Sequence, residues 1–329
     1  MTSRAIFVLI IIASTWMLGA STNTGLLLVA NKGEQTLGII DPAAGRQVAK
    51  VAETGVTGHE VIASADGKLA FVPIYGNSGV GLPGTDGRTI DVIDLNARKI
   101  VHTIHFDHGV RPHCPMIGPK DGLLYVTTEL DDAITIIDPH TFKILGKIPT
   151  GQAESHMLAI SPDGRRGYTA NVGPGTVSVL DMVGRKTLTV IHVANHVQRI
   201  SVSPDGRWVF TSDTEEPRLA VIDAKTNNVD RWIDMPGEGY GSAPTPDGKW
   251  LLVAMPSANG VAVIDLANLK LVKTINVPPA PQEVLIRPNG REAYVSCDHS
   301  QQVAAISTSD WSVKLIDAGK AADGLAWAK

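Results

Sequence analysis

Three of the ten histidines, His59, His113 and His156, stand at one register of the sequence. Each lies five residues before a turn: SADG at Ser64, GPKDG at Gly118, SPDG at Ser161. Imidazole suits Zn, Cu, Fe or Ni, and three protein ligands leave a place open for water or substrate. If the fold returns this register to one place, the chemistry on offer is that of a divalent transition metal, with Zn, Cu and Fe the candidates. Carboxylates stand nearby at Glu60, Glu129 and Glu154. Such groups can orient a histidine, complete a ligand set or take a proton, and Glu129 and Glu60 are the candidate bases. A metal-free polar pocket, or a channel lined with polar groups for structural reasons, accounts for the same residues.

The later turns start at Ser203, Thr245 and Arg287, and the same subtraction gives Gln198, Tyr240 and Gln282. Asp323 matches them near the end of the chain. These four, with Tyr75 and Arg199, are the candidate ligand-binding residues, and Arg199 is the best single anion-binding candidate. Ser155 beside His156 is only an adjacency in sequence and does not make a Ser-His-Asp triad. A long connection, PIYGNSGVGLPGTDGR, follows the first of these turns and is ten residues longer than its counterparts. Its glycines and Pro83 forbid regular structure, and loops of this length in compact domains are often lids. No strand-to-helix unit or Lys-Ser/Thr follows, so it is not a phosphate loop.

The elements that must position these residues recur. LGIID ends at Asp41, IDVID at Asp94, ITIID at Asp138, VSVLD at Asp181, LAVID at Asp223, VAVID at Asp265 and VAAIS at Ser307. The steps are 53, 44, 43, 42, 42 and 42 residues. A period near forty built from short strands is that of a β-propeller blade. The SPDG-like turns supply Asp-Gly or Asn-Gly hairpin chemistry. One blade reads HMLAIS, RRGYTAN, TVSVLD, LTVIHV as strands A to D. Tight turns join A to B and C to D. The B–C and D–A connections therefore share the opposite, top face, where strand A begins beside the channel. The expectation is an all-β, seven-bladed β-propeller of four-stranded antiparallel blades. N-terminal strands B, C and D combine with a C-terminal strand A, DGLAWA, to close it and leave no open edge.

The strand ends YVTT, YTAN and YVSC, the SPDG turns and the V-x-V-I-D strands resemble the YVTN-type β-propeller repeat family. The resemblance covers everything after residue 25. It implies the fold, and it points alike to lactonases, surface-layer proteins and binding proteins. The seven-blade geometry is also similar to that of nitrous oxide reductase and the carotenoid oxygenases, which hold metals with histidines near the axis.

Composition sets the remaining bounds. A net charge of −4 and no basic stripe interleaved with aromatics argue against nucleic acid. Arg4, the apolar run AIFVLIIIASTWML and the small residues after it read as a secretory signal peptide over 1–21, leaving 22–329 as the propeller. The expected location is periplasmic or secreted, as a monomer with no membrane span after cleavage. Cys114 and Cys297 fall in distant blades, so a disulfide is not expected. These readings converge on a small-molecule site at the top channel mouth, of a metal-dependent hydrolase or lactonase-like enzyme. The alternatives are a non-catalytic scaffold for an envelope, glycan or peptide partner, and a Cu or Fe redox protein.

Overall fold

The computed structural model describes residues 25–329, so the signal-peptide reading lies outside the described residues. The described residues are all-β apart from one turn of 3₁₀-helix at Glu129–Asp131. Its strands form four-stranded antiparallel units, the architecture of a β-propeller. The innermost strands are Ile62–Ala63, Pro112–Ile117, Ser155–Ile160, Val197–Val202, Ser242–Pro244, Pro281–Ile286 and Ala322–Ala328. They neighbour one another in that order, and Ala322–Ala328 lies against Ile62–Ala63. We number the sheets one to seven by these strands. In sheet seven the C-terminal strand pairs with Leu26–Asn31, Leu27 opposite Trp327 and Leu28 opposite Ala326. The strands Thr36–Asp41 and Arg46–Ala52 complete that sheet.

The repeated residues have local reasons. In the SPDG turn the Ser161 hydroxyl donates to Asp163 at 2.6 Å and accepts from the Arg166 amide at 3.0 Å, which closes the hairpin. At the end of a third strand, Asp94 accepts from the amides of Asn96 and Ala97 at 2.9 and 2.8 Å, so Asp starts the outer turn. The two central strands, as in Arg166–Asn171 and Thr176–Asp181, are mostly buried, while the outermost is mostly exposed, as in Lys186–His192. The core lies between sheets: Tyr168, Val179 and Leu158 of sheet three pack with Ile134 and Ile136 of sheet two and Val209 of sheet four.

Four of the inner strands begin irregularly. Their pairing with the next strand slips between Pro112 and Pro115, Ser155 and Met157, Val197 and Ile200, and Pro281 and Val284. These β-bulges fall on the histidine register. A bulge takes residues out of the ladder and re-aims their side chains. Buried hydroxyls of the second strand hold the freed backbone. Thr127 donates to the His156 carbonyl at 2.9 Å and accepts from the Cys114 amide at 2.8 Å, while Thr211 donates to the Arg199 carbonyl at 2.7 Å. Two residues upstream the chain turns through the left-handed region at Arg111, Glu154, Ala280 and Ala321, with φ between 49° and 57°.

Candidate functional site

The histidine register does come together. The rings of His113 and His156 stack, with centroids 3.7 Å apart and planes at 30°. His59 meets His113 edge-on at 5.4 Å. Tyr75 closes the group, its ring 5.0 Å from His59, 5.2 Å from His113 and 5.8 Å from His156. His113 and His156 are buried and His59 is half-buried. Burial lowers all three basicities: His59 falls to about 4, His113 well below the ordinary value with help from its two imidazole neighbours, and His156 falls despite Glu129 pulling it up. The three rings are therefore neutral at pH 7. The Nδ1 atoms of His113 and His156 have no hydrogen-bond partner. Buried nitrogens of this kind normally have one.

Glu129 anchors the group from the start of the 3₁₀ turn. Its Oε2 accepts from the Tyr75 hydroxyl at 2.5 Å and lies 3.6 Å from His156 Nδ1, too far for a hydrogen bond but close enough for charge attraction. Its Oε1 accepts from Arg111 Nη1 at 3.1 Å and from the Gly81 amide at 3.2 Å. Burial alone would raise this carboxyl; His156, Tyr75 and the Gly81 amide together hold it below the usual range, so it is ionised. Gly81 belongs to the long connection expected to act as a lid. Arg111 fastens that segment by donating to the Leu82 carbonyl and to Asp86, both at 2.7 Å. Arg111 and its role as a clamp escaped the sequence reading. Its position two residues before His113 was the available signal.

The residues one step further along the inner strands make a second layer. Arg199 Nη2 reaches Glu60 at 2.7 Å and Asp323 at 3.0 Å, and Nη1 lies 3.6 Å from Glu283. These partners come from sheets four, one, seven and six, so the guanidinium spans the ring of inner strands. Lys32 adds a 3.2 Å contact to Asp323, and the guanidinium carbon of Arg199 lies 5.0 Å from the centre of the Tyr240 ring. Burial and the neighbouring carboxylates push Glu60 well up, with Arg199 opposing.

Two expectations change here. Arg199 is not a free anion-binding group, because three carboxylates already surround it. Glu60 follows His59 in sequence, but its carboxylate is held by Arg199 at 2.7 Å, which leaves Glu129 as the candidate base beside the imidazoles. Asp323 joins this second layer, whereas Gln198 and Gln282 are half-buried at the rim. The expected absence of a disulfide fits two free, buried cysteines. Of the other histidines, His102, His105, His140 and His192 are exposed, as expected for outer strands and turns.

The stacked rings do not form a ready ligand set. In-plane lone pairs of stacked imidazoles run nearly parallel, so they do not converge on one ion at about 2.0–2.1 Å per Zn–N bond. Among the described residues no group of three or more His, Cys, Asp or Glu side chains is arranged to hold a metal. No helix among them is long and apolar enough to cross a membrane.

Comparison with known proteins gives likenesses to a family and to solved structures. Residues 118–238, which run from sheet two to sheet four, match the Cytochrome D1 heme domain family. That stretch contains His156 but neither His59 nor His113. The solved structure of hydrazine synthase from Kuenenia stuttgartiensis superposes with a TM-score of 0.73 at 19% identity, over 87% of this chain and 93% of that one. Nothing among the curated proteins matches. At that identity the likeness carries the fold alone, and both findings agree with a β-propeller rather than with the YVTN family in particular.

Proposed function

We propose that this chain is an exported, closed seven-bladed propeller, one domain over 22–329, whose top mouth holds a transition-metal ion on His59, His113 and His156. The observation that carries this reading is the cluster of three imidazoles in which His113 Nδ1 is buried without a hydrogen-bond partner and His156 Nδ1 faces the Glu129 carboxylate at 3.6 Å. The donor chemistry fits Cu, Fe or Zn. The stack has to open by rotation of one ring before both nitrogens can face an ion. A haem fits poorly, since His113 and His156 are packed against each other and Tyr75 and offer no open face to a macrocycle.

Bound there, such an ion supplies Lewis acidity or one-electron chemistry. The chain does the rest. Glu129 holds its charge beside His156 and can take a proton from a substrate or water. Tyr75 fixes Glu129 and covers one side of the rings. The segment anchored through Gly81 and Leu82 excludes water. We favour a redox role over the hydrolase or lactonase reading, because the family matched over residues 118–238 is described as a haem domain. A small-molecule substrate at the mouth and a periplasmic or secreted location belong to the same proposal.

The test is the metal content of full-length protein purified without chelators, alone and as His113→Ala. The reading expects about one Cu, Fe or Zn per chain, lost in the variant while the far-ultraviolet spectrum stays that of a folded β protein. Full retention in His113→Ala would contradict it.

A further inference from the structure

Away from the imidazoles, a cavity of about 370 Å³ opens on the top face over sheets four to six. Tyr240, Glu238, Gln282, Thr214, Ser257 and Pro256 line it. The position of Tyr240 is built into the backbone. A Cβ at Gly239 would meet Ser212 Oγ at 2.3 Å, and one at Gly241 would meet the Gln282 carbonyl at 2.3 Å. Only glycine on both sides lets the chain wedge between its neighbours there. The Tyr240 amide donates to the Ala254 carbonyl at 2.8 Å, and that of Gly241 to the Gln282 carbonyl at 3.1 Å. Arg199 backs the ring, which remains half-buried and keeps surface toward the cavity.

The other lining groups narrow the ligand. Glu238 accepts from the Ser257 hydroxyl, so carboxylate and hydroxyl are set side by side. Glu238 and the Gln282 amide oxygen accept hydrogen bonds; the hydroxyls of Thr214 and Ser257 can give or take them. No Lys, Arg or His lines the cavity, so nothing there compensates a phosphate or carboxylate. An ammonium is also poorly served, because Arg199 already draws on the electrons of the Tyr240 ring and weakens a second cation–π contact. A sugar ring answers every feature. Its C–H face packs on the aromatic ring, its hydroxyls donate to Glu238 and Gln282, and it carries no charge. We propose that this cavity is a carbohydrate subsite that takes one neutral sugar ring stacked on Tyr240. The proposal stands apart from the metal reading and does not need it.

The experiment uses full-length protein, saturation-transfer NMR and calorimetry, with glucose, galactose, N-acetylglucosamine and their β-linked dimers as probes. At least one sugar should bind with a Kd of about 1 mM or tighter. Tyr240→Ala should weaken it by about tenfold or more, and Tyr240→Phe should keep it. Because Tyr240→Ala also uncovers Arg199, Glu238→Gln is the second variant. It should cost about tenfold in affinity with the thermal midpoint unchanged. Absence of transfer from every sugar at about 10 mM would overturn the proposal. Binding that survives both Tyr240→Ala and Glu238→Gln would also overturn it, as would tetramethylammonium binding more tightly than any sugar.

Discussion

His59, His113, His156, Tyr75 and Glu129 behave as one unit, so single changes at any of them should be felt by the others. Tyr75→Phe removes the 2.5 Å donor of Glu129 and leaves a buried carboxylate oxygen short of a partner. The expected cost is about 1–3 kcal/mol in chemical denaturation, larger than for an exposed Tyr→Phe change. The imidazoles predict a pH dependence with a definite sign. Their basicities are depressed in the folded state, so below pH 6.5 the unfolded chain binds more protons and stability must fall with pH. For His59 that loss runs from about pH 6.5 down to about 4, with His113 and His156 adding in the same direction. The buried carboxyls of Glu53, Glu60 and Glu283, raised in the folded state, act with the opposite sign over the same range. The check is therefore the imidazole C–H shifts in NMR, where titration of His59 near pH 6.5 would contradict a neutral, buried ring. The histidine register was legible from turn spacing alone, because every turn in the series marks the same point on an inner strand. The stacking of the rings was not, since it depends on side-chain rotation inside a bulge that spacing cannot reveal. The Glu60–Arg199 contact was hidden for a related reason: neighbours in sequence need not share a partner in space.

At the scale of elements, the bulged starts of the strands carrying His113 and His156 position those rings, and the joints between sheets are tight. Gly324 shows this most directly. A Cβ there would meet the His59 carbonyl at 2.5 Å and Glu60 Cα at 2.6 Å, both backbone atoms of the neighbouring sheet. Gly324→Ala should therefore push sheet seven from sheet one, lowering stability by about 1–3 kcal/mol and disturbing His59 as well. Thermal unfolding gives the first effect, and loss of affinity for added metal gives the second. An unchanged melting curve would mean that the joint is looser than the contacts state. The strands themselves were readable, because their alternation and turn residues are local. The long connection was readable from its excess length, but its fastening by Arg111 and Glu129 required partners distant in sequence.

The whole molecule is braced by Arg199, which ties sheets one, four, six and seven around one guanidinium. Arg199→Met would leave Glu60, Glu283 and Asp323 buried with Lys32 as the remaining nearby cation. Breaking a buried pair by removing one partner costs about 3–5 kcal/mol. The variant should melt much lower at pH 7, and acid should narrow the gap, since protonating the carboxylates relieves the uncompensated charge. This brace lay one residue off the register that the turns reveal. Turn spacing marks a single position in each repeat, so from sequence Arg199 reads as a free cation. The account rests most heavily on metal binding at the three imidazoles. X-ray absorption of the full-length protein loaded with one equivalent of Cu, Fe or Zn measures that coordination directly. The prediction is a first shell with three imidazole nitrogens, at about 2.0–2.1 Å in the Zn form, and loss of the imidazole signal in His113→Ala. A shell of oxygen atoms alone, or the same imidazole signal in the variant, would contradict it.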